Sequence, residues 1–251
     1  MTLHVVQYSG GIGSWAATQR VIAEHGTANL VLLFADTLVE DHDLYRFLDD
    51  SAAQFGVPVT RVADGRTPFE VYRDRRFLGN SLLAPCSSFL KQRPARAWLD
   101  EHADPDDTVV YVGLDWAEPK RLPGVVRGWS PWRVEFPMCD PPLLSKQDML
   151  AACLAAGVKP PRLYDLGFSH NNCGGVCVRA GQKHWRHLLS VFPDRYAQAE
   201  QLEQEMRGML GNVAILKRRK AGVSQPLTLT KLREEHERAC SGSCPDSDRS
   251  G

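Results

Sequence analysis

The chain has 251 residues, of which 43% are hydrophobic and 24% charged, as is ordinary for a globular protein. Thirty basic and thirty acidic residues give a net charge of zero, which excludes a global attraction to nucleic acid or membranes. The longest apolar run, at 30–35, is too short to span a bilayer, and because a strand is predicted almost at Met1 we expect no signal peptide. We therefore expect a cytoplasmic protein with no membrane partner, in which metal or redox chemistry is a better explanation for the seven cysteines than disulfides.

The first sixty residues alternate between strand and helix patterns. An apolar strand at 4–8 leads into a glycine-rich turn and a helix from Trp15 to about Glu24. The apolar run at 30–35 is typical of a strand buried on both faces, and a helix over 41–55 and a strand over 57–62 follow. This order predicts a doubly wound, mostly parallel, Rossmann-like α/β sheet.

The remaining pattern continues this alternation and then becomes helical. It predicts a helix over 93–102, a strand over 108–112, a helix over 145–156 and a charged helix over 192–209. Ser145 is expected to cap its helix with Asp148 at the third position, and Cys153 is expected to fill core space. We divide the chain into a nucleotide-binding domain with a cysteine cluster (1–185), a helical extension (186–239) and a disordered tail (240–251).

Polar clusters follow three of the predicted strands. The first is the turn Ser9-Gly10-Gly11-Ile12-Gly13-Ser14, which can aim backbone N–H groups, hydroxyls and a helix N-terminus at one anion. The others are Asp36-Thr37 and 113–121. Because ligands of open α/β sheets bind beyond the carboxyl ends of the strands, these clusters together predict a phosphate site. Its expected residues are Ser9, Gly10, Gly11, Gly13, Ser14, Asp36, Thr37 and Gly113.

The order of these motifs resembles the adenine-nucleotide α-hydrolase superfamily, in its phosphoadenosine-phosphosulfate reductase-like branch. The resemblance covers about residues 5–180 and rests on further matches: 34–37 with Tyr45 and Phe47, Cys86 with Lys91 and Pro94, Gly113 with Arg121, and 163–169 leading into Cys173 and Cys177. It implies a loop that binds pyrophosphate. Two departures stand out, since Ile12-Gly13 replace the Lys-Asp of many ATP-cleaving members and Asp115 replaces an arginine.

The resemblance implies an enzyme that splits ATP into AMP and pyrophosphate and adenylates a second substrate, for example for sulfur transfer. Lys91, Arg121 and Asp36 are the expected catalytic residues, with Asp36 a candidate Mg²⁺ ligand. The alternatives are a sulfonucleotide reductase, which would bind an adenylyl-sulfate nucleotide and use Cys240 or Cys244, and a non-catalytic nucleotide- or nucleic-acid-binding module with a structural metal. The sequence leaves open whether the acceptor is a small molecule, tRNA or DNA. It also leaves open whether the protein forms a homodimer.

Cysteine spacing suggests a metal site. Cys173-Gly174-Gly175-Val176-Cys177 is a C-x₃-C pair whose glycines allow a loop to fold around an ion or cluster. The resemblance implies that Cys86 joins this pair, and Cys139 is the candidate fourth ligand. Four thiolates from separate loops suit a [4Fe–4S] cluster, with structural Zn²⁺ as the alternative.

Overall fold

The computed structural model describes residues 1–79 and 84–241, with the side chains of residues 240 and 241 left out. The chain forms two compact units. Unit 1 comprises Met1–Pro68 with Cys86–Gly175, and unit 2 comprises Phe69–Pro85 with Val176–Gly251. This division differs from the boundary expected at residue 185, because residues 69–85 group with the C-terminal segment.

Unit 1 contains a five-stranded, fully parallel sheet. Its strands are β1 (Leu3–Gln7), β2 (Leu30–Asp36), β3 (Val59–Ala63), β4 (Thr108–Tyr111) and β5 (Arg133–Glu135). Their spatial order is β3-β2-β1-β4-β5, so the chain first winds outward from β1 through β2 and β3 and then returns to the other side of β1. This confirms the predicted α/β, Rossmann-like class and puts the reversal of winding between β1 and β4.

Ten α-helices occur among the described residues. They are α1 (Ile12–His25), α2 (His42–Phe55), α3 (Pro68–Asp74), α4 (Arg93–His102), α5 (Leu122–Trp129), α6 (Lys146–Ala155), α7 (Arg162–Asp165), α8 (Gln182–Val191), α9 (Pro193–Leu210) and α10 (Leu229–Ser241). A π-helical segment, Ser87–Gln92, runs directly into α4, and 3₁₀ turns span Pro119–Arg121, Pro137–Cys139 and Asn172–Gly175.

Hydrophobic clusters cover both faces of the sheet. Val6 and Leu32 face a cluster with α1, α2 and α6, whereas Val5 and Leu33 face a cluster with α4 and α5. Neighbouring residues of one strand therefore point to opposite layers, as the pleat requires. Burial of each large aliphatic side chain stabilises the folded state by about 1.5–3 kcal/mol. Because β2 is covered on both faces, its sequence is a continuous apolar run.

Local signals in unit 1 agree with the structure. Ser145 accepts the amide of Asp148 while the Asp148 carboxylate accepts the amide of Ser145, so the predicted cap is a complete capping box. Cys153 is fully buried, with its Sγ 3.4 Å from the carbonyl of Val158. The prediction of Cys153 as a core residue is confirmed.

Unit 2 is not purely helical, which corrects the expected extension over 186–239. Besides α8, α9 and α10 it contains an antiparallel hairpin of β6 (Leu216–Lys220) and β7 (Val223–Leu227). Helix α10 also reaches residues 240 and 241, so the expected disordered tail is wrong there, and its remainder at 242–251, with Cys244, lies outside the described residues. Among the described residues, no helix is long and apolar enough to cross a membrane.

Candidate functional site

The turn after β1 approaches the end of β4 so closely that glycine is required on both sides. A Cβ on Gly13 would lie 2.9 Å from the carbonyl oxygen of Gly113. A Cβ on Gly113 would in turn lie 2.8 Å from the backbone of Gly13 and Ser14. Gly10 has φ +70°, a left-handed conformation that favours glycine. Two glycines that the sequence assigned to phosphate binding thus also join the first helix to β4.

Hydrogen bonds inside the turn use part of its polar capacity. Ser14 Oγ donates to the carbonyl of Gly11 at 2.8 Å, and Ser9 Oγ donates to Ser14 Oγ at 3.3 Å. The amide of Ile12 donates to the Tyr164 hydroxyl at 3.2 Å, and the Ser14 amide lies 3.1 Å from the Gly11 carbonyl. The cradle of main-chain donors expected from the sequence is therefore partly occupied by the protein's own acceptors.

A cavity of about 290 Å³ opens where the winding reverses. The turn contributes Ser9 and Ser14, the π-helical segment contributes Lys91, and Arg121 follows the end of β4. Its remaining lining residues, mostly apolar, are Gln7, Tyr8, Leu33, Ala35, Ser87, Gln92, Val112, Gly113, Leu114, Val125 and Trp129. The cavity thus combines two cations and four hydroxyl-bearing residues with an apolar wall, and its lining includes no carboxylate. Its volume lies just below the range of about 300–1,000 Å³ that is usual for small-molecule sites.

Lys91 lines this cavity and lies on a backbone segment of uncommon conformation. It lies on the π-helical segment Ser87–Gln92, and such segments occur often at functional sites. Its Nζ is 3.9 Å from Oε1 of Glu40, whose side chain is only 2% exposed. Glu40 also accepts the Thr37 hydroxyl at 2.9 Å and the amide of Cys173 at 2.6 Å. Sequence reasoning missed Glu40, since a lone glutamate before a helix carries no spacing signal.

Asp36 and Thr37, at the end of β2, are engaged by neighbouring groups and do not line the cavity. The fully buried Asp36 carboxylate accepts the Leu38 amide at 2.8 Å and the Tyr45 hydroxyl at 3.0 Å, and it is paired with Arg61. Burial, and then the Asp36 charge, raise the pKa of Tyr45 to about 12. With both oxygens engaged, Asp36 is a poor fit as the Mg²⁺ ligand that the sequence suggested.

The segment around α7 is tied to the turn before α2. Arg162 forms a two-pronged ion pair with the buried Asp41, at 2.8 and 2.9 Å. Next to it, the Tyr164 hydroxyl accepts the amide of Ile12, and Asn171 Nδ2 donates to the carbonyl of Gly10 at 3.2 Å. The stretch that the resemblance singled out therefore holds the glycine turn in place from outside.

The four cysteines expected as metal ligands come from separate parts of the chain. Cys86 directly precedes the π-helical segment, and Cys139 ends a 3₁₀ turn with its Sγ 3.6 Å from the Leu114 carbonyl. Cys173 is buried in unit 1 with φ +52°, whereas Cys177 belongs to unit 2. Burial, with Asp140 and Asp115, raises the pKa of Cys139.

Among the side chains that the structure describes, no group of three or more His, Cys, Asp or Glu could hold a metal ion. The [4Fe–4S] and Zn²⁺ assignments stay predictions.

Comparisons with known proteins add a likeness of fold. No protein-family model matches the chain, and no curated protein matches it. Among solved structures, it is similar to a phosphoadenylyl-sulfate (PAPS) reductase from Candida auris in a phosphate complex. The two share 17% sequence identity at a TM-score of 0.45, over 66% of this chain and 78% of that chain. At this level the likeness concerns the fold alone.

Proposed function

We propose that the protein is a nucleotide-dependent enzyme that binds ATP in the cavity between the ends of β1 and β4, cleaves it to AMP and pyrophosphate, and adenylates a second substrate. The observation that carries this proposal is the position of the cavity at the reversal of winding, with Lys91 and Arg121 among its lining residues. Open α/β sheets bind ligands at this point.

Each part of the cavity suits one part of a nucleotide. The hydroxyls of Ser9 and Ser14 lie at the start of α1, where the helix dipole favours phosphate. Lys91 and Arg121 supply positive charge, and each charge-assisted hydrogen bond contributes roughly 1.5–3 kcal/mol. The apolar wall that includes Val125 and Trp129 suits a purine ring.

In the proposed reaction an acceptor oxygen attacks the α-phosphorus, the bond from that phosphorus to the bridging oxygen breaks, and pyrophosphate leaves with the electron pair. Lys91 and Arg121 would stabilise the negative charge that develops on the leaving group. Mg²⁺ commonly enters such sites on the phosphates, where it retains several water ligands and adds charge stabilisation.

A second candidate, binding and reduction of a sulfonucleotide, is favoured by the cavity lining. The lining residues are cationic or neutral and include no carboxylate to help hold Mg²⁺, which suits a nucleotide bound without that ion. This reaction also needs a thiol nucleophile. The sequence offers Cys240 and Cys244, whose side chains lie outside the described residues.

Calorimetry with ATP, with and without Mg²⁺, and with PAPS tests the proposal. We expect ATP to bind and slow pyrophosphate release to occur with water as acceptor. Lys91→Ala/Arg121→Ala should weaken ATP binding by more than about a hundredfold, from the loss of two charge-assisted contacts. The matched control Arg127→Ala/Lys159→Ala removes two exposed charges outside the cavity lining and should leave affinity unchanged.

Two results would argue against adenylation. Equal ATP affinity in the Lys91/Arg121 variant and its control would show that the nucleotide does not use this cavity. Tight PAPS binding without Mg²⁺, together with no pyrophosphate from ATP, would favour the sulfonucleotide candidate instead.

A further inference from the structure

The hairpin of unit 2 has an unusual concentration of positive charge. Strand β6 contains four consecutive basic residues, Lys217-Arg218-Arg219-Lys220. Its connection to β7 passes through Ala221 at φ +49° and Gly222 at φ +79°, a two-residue turn of the tight kind that matches strand twist. The hairpin is therefore a defined structure that holds these charges in fixed register.

One face of the hairpin packs against its own unit. Leu216 and Leu227 pair across the strands and are almost fully buried. On the same face, Arg218 forms an ion pair with Glu235 of α10 at 2.6 Å, and this hydrogen bond lowers the pKa of Glu235. The packing and the ion pair fix which way the hairpin faces.

The opposite face exposes the other cations. Since side chains alternate along a strand, Lys217 and Arg219 share the outer face with their cross-strand partners Pro226 and Ser224. Both are exposed, as is Lys220 at the turn. None of these three cations forms an ion pair with the residues that the structure describes, although Arg219 Nε donates to the carbonyl of Gly222 at 3.3 Å.

We propose that the exposed cations of this hairpin, Lys217 and Arg219 on the outer face and Lys220 at the turn, bind the phosphodiester backbone of a nucleic acid. Lys217 and Arg219 are two residues apart on one strand, about 6.8 Å, so one phosphodiester backbone can contact both side chains. Gln182 at the start of α8 donates to the carbonyl of Lys217 at 3.0 Å, so the positive end of a ten-residue helix lies beside the same strand.

The neighbouring residues also favour a nucleic acid over a membrane. The exposed partners on β7 are Val223, Ser224, Gln225 and Pro226, with no aromatic or long aliphatic group for insertion into lipid. Charges on an exposed strand can also act only to prevent edge-to-edge pairing of sheets, and that role predicts no ligand. The proposal is independent of nucleotide binding in unit 1, and its test uses a separate readout.

Fluorescence anisotropy with labelled single-stranded RNA, single-stranded DNA and duplex DNA, at several salt concentrations, tests this inference in the full chain. We expect nucleic acid to bind and its affinity to fall with salt. Lys217→Gln/Arg219→Gln should weaken binding roughly tenfold to thirtyfold near 0.1 M salt and, for single strands, reduce the slope of log K against log salt by about 1.4, or about 0.7 for each lost phosphate contact.

The matched control Lys159→Gln/Lys231→Gln removes the same charge from two exposed positions off the hairpin and should retain both affinity and slope. The hairpin variant should melt no earlier than the parent protein, since it relieves repulsion between like charges, and should keep its ATP affinity. Equal losses of nucleic-acid affinity in both variants would show that the effect comes from net charge alone. Absence of binding by the parent protein, or binding only to anionic phospholipid vesicles, would overturn the proposal.

Discussion

Polar residues follow both β1 and β2 in the sequence, but only those after β1 line the cavity in which a ligand can bind. After β1, the hydroxyls of Ser9 and Ser14 line a cavity. After β2, the oxygens of Asp36 are engaged by Leu38, Tyr45 and Arg61, and the Thr37 hydroxyl donates to Glu40. The Ser9 and Ser14 hydroxyls are also hydrogen-bonded, to each other and to the Gly11 carbonyl. The two strand ends therefore differ in whether their polar side chains border the cavity.

The largest expected effect comes from the contact between the first strand end and β4. Gly113→Ala would place a methyl group 2.8 Å from the backbone of Gly13 and Ser14, where no flexible side chain can give way. We expect a loss of about 2–3 kcal/mol in the free energy of unfolding, measured by urea denaturation, together with weaker ATP binding. Gly124→Ala, in α5 with nothing within 4 Å of the new Cβ, is the control and should be neutral or slightly stabilising. A Gly113→Ala protein with the stability and ATP affinity of the parent would contradict the close approach of Gly113 to the backbone of Gly13 and Ser14.

A smaller effect is expected at the second strand end. Asp36→Asn keeps an acceptor for Tyr45 but removes the charge that pairs with Arg61, whose side chain is 53% exposed. We expect the free energy of unfolding to fall by about 1–2 kcal/mol, with ATP affinity changed less than twofold. Asp100→Asn, at an exposed position of α4, is the control. A tenfold loss of Mg²⁺-dependent ATP affinity at unchanged stability would instead restore Asp36 to the catalytic role that the sequence suggested.

The smallest effect is expected at the amino end of β1, which provides a reference away from the cavity. His4 stacks on His25 with ring centroids 4.1 Å apart, and its Nδ1 is 2.9 Å from the Tyr111 hydroxyl. Burial, and then His25, lower the pKa of His4, while Glu135 and Glu24 oppose this. The folded state therefore favours neutral His4, and stability should decrease as pH falls through the unfolded value of about 6.5.

Urea midpoints at about pH 7.5 and pH 5.5 measure this dependence. His4→Gln should make the difference between the two midpoints smaller without altering ATP affinity. If His4→Gln keeps the full difference between the two midpoints, the pH dependence comes from the titration of other groups.

Much of unit 1 was predictable because its signals are local. The apolar run of β2, the glycine after the first strand and the capping box of Ser145 and Asp148 each depend on a few neighbouring residues. The hairpin was missed because four basic residues in a row lack the alternation that predicts a strand, and only the pairing of Leu216 with Leu227 gives β6 a buried end.

The candidate site was predictable in part. Lys91, Arg121, Ser9, Ser14 and Gly113 line one cavity, although they come from three separate stretches of chain. Glu40 could not be found, because its importance comes from burial beside Lys91 and Cys173. The cysteine ligands could not be tested by spacing alone, since coordination needs several thiolates to converge in space.

The sequence by itself determined the alternation of strands and helices, and hence which residues lie at the carboxyl edge of the sheet, because periodicity and turn residues act over a few positions. Only the tertiary structure decided which of those residues are available to a ligand. Hydrogen-bond satisfaction and steric fit depend on partners far along the chain: Tyr45 and Arg61 engage Asp36, while the backbone of Gly113 meets that of Gly13.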